Sequence, residues 1–374
     1  MQWLRNTAYI LIVLIGGGFI LLQGKGLLFP FLFAIFFAFL LMPLEKWIYR
    51  RIANKVVSIT GSVLFVLSGI GGLLFVFGYQ LIEIFSEMSA IQDQLKDGIQ
   101  QVMIVLDENI PYLEMPADPQ SMDLMMSKLI AAPVDFAVAG ISNGAGFLFN
   151  AALTFIYTIF LLIYKDSFRD FVKIQFPKDK REEIESILTQ SVHLIQRYLA
   201  GMVTVIIILA FLNCIGLLLI GVEHAIFWGV LGACLVIIPY IGTTLGGLLP
   251  FLYSMATADE PWQPFAVVAM YIVIQQLEGN WITPKIVGSS VSINPFFALI
   301  GIVIMGSLMG IGGIVLAIPL MAILKLVAES VDVLKPVALL MDKDLMKKRH
   351  LFLSKYDRED YRFSSIIKEE ENKR

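Results

Sequence analysis

The polar residues that could bind a solute or an ion cluster at one end of an apolar segment. Gln275, Gln276, Glu278 and Asn280 lie at the end of residues 261–277, a stretch without Asp, Glu, Lys or Arg. On a helix, residues three or four positions apart share a face, which pairs Gln275 with Glu278 and Gln276 with Asn280. Polar side chains in apolar segments usually face a protein interior or an aqueous path. The cluster therefore predicts a binding site for a polar solute or a cation.

Two further groups of polar residues belong to the same expected site, and each adjoins residues that would break a helix. The additional candidates for the transport pathway are Tyr240, Thr243, Thr244, Ser289, Ser290 and Asn294. The expected breaks are Pro239, Gly242, Gly246 and Gly247 in one segment and Gly310, Gly312, Gly313 and Pro319 in another. A broken helix exposes backbone groups that lipid does not solvate, so breaks of this kind predict a protein-lined path. The alternative is that the small residues serve close helix packing and the amides bond between helices.

Residues for catalysis, metal binding or nucleic-acid binding are scarce. The chain has 2 Cys and 3 His, and neither set shows the spacing of a metal site. Gly310, Gly312 and Gly313 are not followed by the Lys and Ser or Thr of a phosphate-binding loop. The net charge is only −3, which gives no basic field for nucleic acid. We expect neither an enzyme nor a resident cofactor. Any uphill work would depend on an ion gradient, with Na⁺ or H⁺ as the coupling ion, or on a partner.

The composition indicates a membrane protein, because 57% of the 374 residues are hydrophobic and only 16% are charged. Soluble domains average about 25% charged residues, and a membrane-spanning helix needs about 20 apolar residues. Eight segments lack charged residues altogether: 6–24, 26–44, 56–82, 136–164, 198–222, 225–258, 261–277 and 286–324. The predicted fold class is all-α, a multispan protein with the lipid bilayer as its surroundings.

Two of these segments are too long for a single span. Residues 225–258 number 34 and residues 286–324 number 39. As single helices they would reach roughly 51 and 58 Å, against about 30 Å of hydrocarbon. Each is therefore predicted to fold back at its Gly/Pro break, which gives about eight membrane segments including two broken helical hairpins. Whether the hairpins are re-entrant or pairs of short full spans stays open.

The distribution of charge predicts the orientation. Residues 45–55 carry four basic residues against one acid, residues 165–197 carry seven basic residues, and the chain after Leu324 carries twelve. Residues 81–135 carry ten acids against Lys96 and Lys128. Because cytoplasmic loops are enriched in Lys and Arg, both termini should be cytoplasmic and residues 81–135 should lie outside.

These patterns divide the chain into six parts. The predicted parts are spans one to three (1–80), an extracytoplasmic helical excursion (81–145), span four (146–165), a cytoplasmic amphipathic segment (166–200), a transport core with both hairpins (201–335) and a charged cytoplasmic tail (336–374).

The C-terminal third carries a family resemblance. Its motifs are Pro239 to Gly242, Gln275 with Glu278 to Asn280, Pro284, Val291 to Pro295, Gly310 with Gly312 and Gly313, and Pro319. This arrangement resembles the autoinducer-2 exporter-like family of bacterial membrane transporters, and the likeness covers nearly the whole chain. The resemblance implies a homo-oligomeric permease of the bacterial inner membrane. Thr243 and Thr244 depart from it, since members often have another Pro or small residue there.

Three hypotheses about the function stay open. The first is a secondary transporter that exports a small polar solute, autoinducer-2 being one candidate. The second is a sodium or lithium/proton antiporter, which Glu278 favours as a titratable group in an apolar region. The third is a non-transporting membrane scaffold. Lys285 is relevant to all three hypotheses, because a salt bridge between Lys285 and Glu278 would make that carboxylate structural.

Overall fold

The structure is a computed structural model that describes residues 16–19, 23–86, 144–288 and 292–357. Within these ranges the regular structure is helical, apart from one isolated bridge between Ile293 and Asp342. The helices are α1 (Lys25–Ile52), α2 (Lys55–Ser86), α3 (Gly144–Ile163), α4 (Lys165–Ile174), α5 (Arg181–Ile220), α6 (Ala225–Leu235), α7 (Ile241–Thr257), α8 (Gln263–Leu277), α9 (Thr283–Ile286), α10 (Pro295–Ser330), α11 (Lys335–Leu340), α12 (Leu345–Lys348) and α13 (Leu351–Ser354).

Six helical segments of the described chain are long and apolar enough to cross a membrane. They are Gly26–Ile52, Lys55–Ile84, Gly146–Ile163, Lys178–Ile220, Gln263–Ile286 and Pro295–Ser330. Large apolar side chains cover their outsides, such as Phe75 at 76% exposure and Leu219 at 82%. The all-α, multispan prediction is confirmed. Most of the expected first span, most of the outer excursion (87–143) and the tail after residue 357 lie outside the described residues.

The chain divides into two compact units. Unit one comprises Met1–Val63, Asn150–Met202 and Lys285–Arg374. Its helices are joined by side chains that reach backbone carbonyls, because Thr158 Oγ1 donates to Ala34 O and Gln196 Nε2 donates to Phe39 O. Phe36, Ile195 and Leu316 form a buried core that brings α1, α5 and α10 together.

Unit two comprises Leu64–Phe149 and Val203–Pro284. Its core is aromatic and contains Phe227, Trp228 and Tyr253, with Leu217 and Val267 packed against them. Glycines allow the helices to approach closely: a side chain at Gly232 would lie 2.9 Å from Gly246 O. Helices α6 and α7 therefore cross with their backbones in contact.

The first long apolar run is broken between α6 and α7. Helix α6 ends at Leu235, and α7 begins at Ile241, immediately after Pro239 and Tyr240. The expectation that Gly246 and Gly247 belong to this break is wrong. Both lie inside α7, where the absence of side chains makes room for Gly232 and for the Tyr271 ring.

The second long run is broken at Gly310. Its φ of 62° and ψ of −146° interrupt α10, so residues 295–309 and 311–330 form two arms. The arms lie against each other, because a side chain at Gly301 would meet Met321 at 2.5 Å and one at Gly306 would meet Ile314 at 3.0 Å.

Three other residues assigned to this break lie elsewhere. Gly312, Gly313 and Pro319 are all inside the second arm. Gly312 packs on Phe29 and Gly313 on the carbonyl of Met305, so both serve close packing and not the turn. A glycine in an apolar run has either role, and the sequence does not separate them.

Candidate functional site

Tyr240 and the two threonines form the entrance to α7. Tyr240 has a φ of 64° and ψ of −47°, which is unusual for a residue with a side chain, and the residue is 63% exposed. The hydroxyls of Thr243 and Thr244 each donate to Tyr240 O at 3.2 Å. Both hydroxyls thus bond back to the carbonyl of the N-cap residue of α7.

Gly242 makes this tight entrance feasible. A side chain there would collide with the carbonyl of Leu235, the last residue of α6. Only glycine lets the first turn of α7 approach the end of α6 this closely. Tyr240, Thr243 and Thr244 thus present polar atoms and an aromatic ring at a point where the apolar run reverses.

The predicted amide cluster forms within unit two. Gln275 Nε2 donates to Glu278 Oε2 at 3.1 Å. Asn280 Nδ2 donates to both Gln276 O at 3.0 Å and Gln276 Oε1 at 2.9 Å. Both contacts occur at the predicted spacings of three and four residues, and the three amide side chains are exposed.

Glu278 begins a π-helical turn, Glu278–Ile282, that follows α8. Its second oxygen, Oε1, accepts a hydrogen bond from Thr283 Oγ1, a partner that the sequence pattern did not predict. Within the described part of unit two, the Glu278 carboxylate accepts hydrogen bonds from Gln275 and Thr283 and forms no salt bridge. Wide turns of this type occur mostly as local insertions in helices, frequently at functional sites. Here the turn carries a half-buried acid between an amide and a hydroxyl.

Asn294 lies in unit one and has a structural task. Its Oδ1 accepts from Phe297 N at 3.0 Å, which makes it the N-cap of α10. Its Nδ2 donates to Leu340 O, and its backbone N donates to Met341 O at 2.9 Å. Ser289 and Ser290 lie outside the described residues.

Lys325 and Asp342 form a cluster that the sequence analysis missed. Lys325 is only 4% exposed, and its Nζ donates to Ser292 O at 2.7 Å, Ser292 Oγ at 2.8 Å and Asp342 Oδ2 at 3.1 Å. Lys325 also lies 3.5 Å from Glu329. The one signal for it in the sequence is a lysine directly after the 39-residue uncharged run.

Asp342 is strongly acidic in this setting. Burial opposes its ionisation, but the backbone N–H of Asp344 and the ammonium groups of Lys348 and Lys325 together lower its pKa to about 2. Asp342 therefore stays charged and connects residues 340–343 to Lys325, near the C-terminal end of α10. Among the described residues there is no group of three or more His, Cys, Asp or Glu that could hold a metal.

The comparisons with known proteins agree in the kind of protein they identify. The model of the AI-2E family transporter matches residues 9–332. YhhT of Escherichia coli (strain K12), assigned to transport, is 23% identical and covers 93% of this chain and 96% of its own. The AI-2 transport protein TqsA of the same strain is 22% identical over 85% of this chain and 90% of its own. YueF of Bacillus subtilis (strain 168), also assigned to transport, is 25% identical over 80% of this chain and 82% of its own. The chain thus belongs to the AI-2E transporter family and is a multi-pass membrane transport protein.

Proposed function

We propose that this protein is a permease that exports a small polar solute across the bacterial cytoplasmic membrane. Its similarity to the AI-2 transport protein TqsA makes autoinducer-2 the first solute to test. The proposal includes cytoplasmic termini, on the charge distribution, and a homo-oligomeric assembly, on the family resemblance.

The observation that carries the proposal is the cluster at the end of α8. An apolar helix with the hydropathy of a membrane span ends in a π-helical turn, where Glu278 is held by Gln275 and Thr283 and flanked by Gln276 and Asn280. Hydroxyls and amides of a solute are bound by this kind of mixed donor and acceptor surface. The broken entrance to α7 in the same unit supplies Tyr240, Thr243 and Thr244.

The competing function is exchange of Na⁺ or Li⁺ for protons. It rests on the same carboxylate, because a single ionisable acid in an apolar region is able to alternate between a proton and a cation. The scaffold hypothesis gives Glu278 no role and predicts no flux at all.

Purified protein in proteoliposomes separates these functions. Vesicles loaded with autoinducer-2 should release it faster with the protein than without it, while an imposed sodium gradient should leave the internal pH unchanged. Proton movement driven by sodium, without solute release, would replace export with antiport. Vesicles that show neither activity, with correctly inserted protein, would support the scaffold.

A further inference from the structure

Unit one contains a pocket that the proposed transport site does not use. Its volume is about 570 Å³, within the range of cavities that hold ligands. Helices α1, α4 and α5 and the end of α3 line it. Its apolar lining includes Phe31, Ile35, Ala38, Phe39 and Leu161.

The walls of the pocket are tied together by polar contacts. Lys165 Nζ lies 2.9 Å from Glu45 Oε2 and joins the start of α4 to α1, while Gln196 Nε2 donates to Phe39 O and joins α5 to α1. Arg169 forms an ion pair with Glu185 and donates to Thr189 Oγ1 at 3.1 Å. The pocket is therefore built into the helix arrangement of unit one.

The rim of the pocket is cationic. Lys46, Lys165 and Arg169 line it against a single acid, Asp166. Lys165 is neutralised by the buried Glu45, but Lys46 is exposed and has no salt-bridge partner among the described residues. Arg169 is 46% exposed and has more donors than its contacts with Glu185 and Thr189 use.

The position of the rim corresponds to a membrane interface. Helices α1 and α3 have the hydropathy of membrane spans. Lys46 lies just beyond the uncharged residues 26–44 of α1, and Leu161 lies in the last turn of α3. Phe31, Ile35 and Ala38 lie further back along α1, towards the middle of the span. The pocket is thus apolar at the depth of the lipid chains and cationic at the depth of the headgroups.

We propose that this pocket binds an anionic glycerophospholipid. One acyl chain lies against Phe31, Ile35 and Ala38, and the phosphate is bound by Lys46 and Arg169. Basic pockets between spans recognise anionic headgroups, and a guanidinium group binds phosphate through paired hydrogen bonds. A small polar solute would leave the apolar interior unfilled, which argues against the pocket as a solute site.

Native mass spectrometry of the purified full chain in neutral detergent tests this proposal. The probes are phosphatidylglycerol and phosphatidylcholine with the same acyl chains. We expect one phosphatidylglycerol to be retained in preference to phosphatidylcholine. Lys46→Gln should weaken its binding about fivefold, the loss typical of one basic residue at a membrane surface. Arg50→Gln, four residues further along α1 and not in the lining, should have no effect.

A second variant, Ser191→Phe, tests the apolar interior of the pocket without altering its charge. Ser191 lines the pocket and is half-buried, whereas Ser186 on the same helix is exposed and outside the lining. Ser191→Phe should reduce phosphatidylglycerol binding at least fivefold, and Ser186→Phe should not. Equal retention of the two lipids, or equal binding by Lys46→Gln and Arg50→Gln, would overturn the proposal. Displacement of the lipid by millimolar inorganic phosphate would overturn it in favour of a phosphate site.

Discussion

At the residue scale, the buried ammonium group of Lys325 requires polar partners. An ion removed from water is costly unless partners replace its hydration. Lys325 donates three hydrogen bonds, two to Ser292 and one to Asp342, which join the start of α10 to the segment after α11. The ion thereby closes the base of the second hairpin.

Lys325→Met should consequently destabilise the protein strongly. Removal of one partner from a buried ion pair typically costs about 3–5 kcal/mol, and Asp342 would retain only its hydrogen bonds from Lys348 and from the Asp344 backbone N–H. Lys335→Met is the matched control, since its salt bridge with Asp332 is exposed and worth at most about 1 kcal/mol. Thermal unfolding in detergent should show a much larger fall in Tm for Lys325→Met. Equal falls would show that the buried cluster contributes no more than a surface pair.

The low pKa of Asp342 predicts acid sensitivity. The pKa falls from 3.8 to about 2 on folding, so the folded state binds this proton less readily than the unfolded state. Its stabilisation is present above about pH 4 and is lost as the pH falls towards 2. Wild-type Tm should therefore drop more between pH 5 and pH 2.5 than the Tm of Asp342→Asn, which has no carboxyl to titrate. An identical drop in both proteins would contradict this assignment.

At the element scale, the hairpins depend on two glycines for different reasons. A side chain at Gly242 would meet the backbone of Leu235, whereas one at Gly310 would meet nothing within 4 Å. The requirement at Gly310 is conformational, because its φ of 62° with ψ of −146° is a region that residues with a side chain avoid.

Gly310→Ala isolates that conformational cost. It should destabilise the protein by about 1–3 kcal/mol, the typical cost of holding a residue in a sparsely populated conformation. Gly71→Ala in α2 is the control, because its site is also open but helical, so alanine should raise or preserve Tm. Thermal unfolding of both variants checks the difference. An unchanged Tm for Gly310→Ala would show that α10 has no required break there.

The sequence predicted the breaks near Pro239 to Gly242 and at Gly310 because helix length is simple arithmetic. It also predicted the pairs Gln275 with Glu278 and Gln276 with Asn280, which depend only on helical spacing. The sequence did not predict the contact between Lys325 and Asp342, because a helix end and a turn without a characteristic spacing separate the two residues. Gly246 and Gly312 were misassigned because packing glycines and break glycines have the same composition signal.

At the whole-molecule scale, the charge distribution predicts which ends face the cytoplasm. Asp259 and Lys347 are both exposed and, by the predicted orientation, lie on opposite sides of the membrane. In a background with Cys214 and Cys234 replaced, Asp259→Cys should react with an impermeant thiol reagent in intact cells. Lys347→Cys should react only after permeabilisation. The reverse pattern would invert the orientation and with it the direction of export.

The most direct test of the transport site is solute flux with Glu278→Gln. The variant keeps the size and hydrogen bonding of the side chain but removes its charge. Glu260→Gln is the matched control, since Glu260 lies just before the other end of α8. Both variants should reach the membrane at the wild-type level. Flux through Glu278→Gln in proteoliposomes should fall at least about tenfold, equivalent to about 1.4 kcal/mol at the limiting step, while Glu260→Gln retains wild-type flux. Wild-type flux through Glu278→Gln, or loss of the assembled protein, would contradict the assignment of Glu278 to the transport pathway.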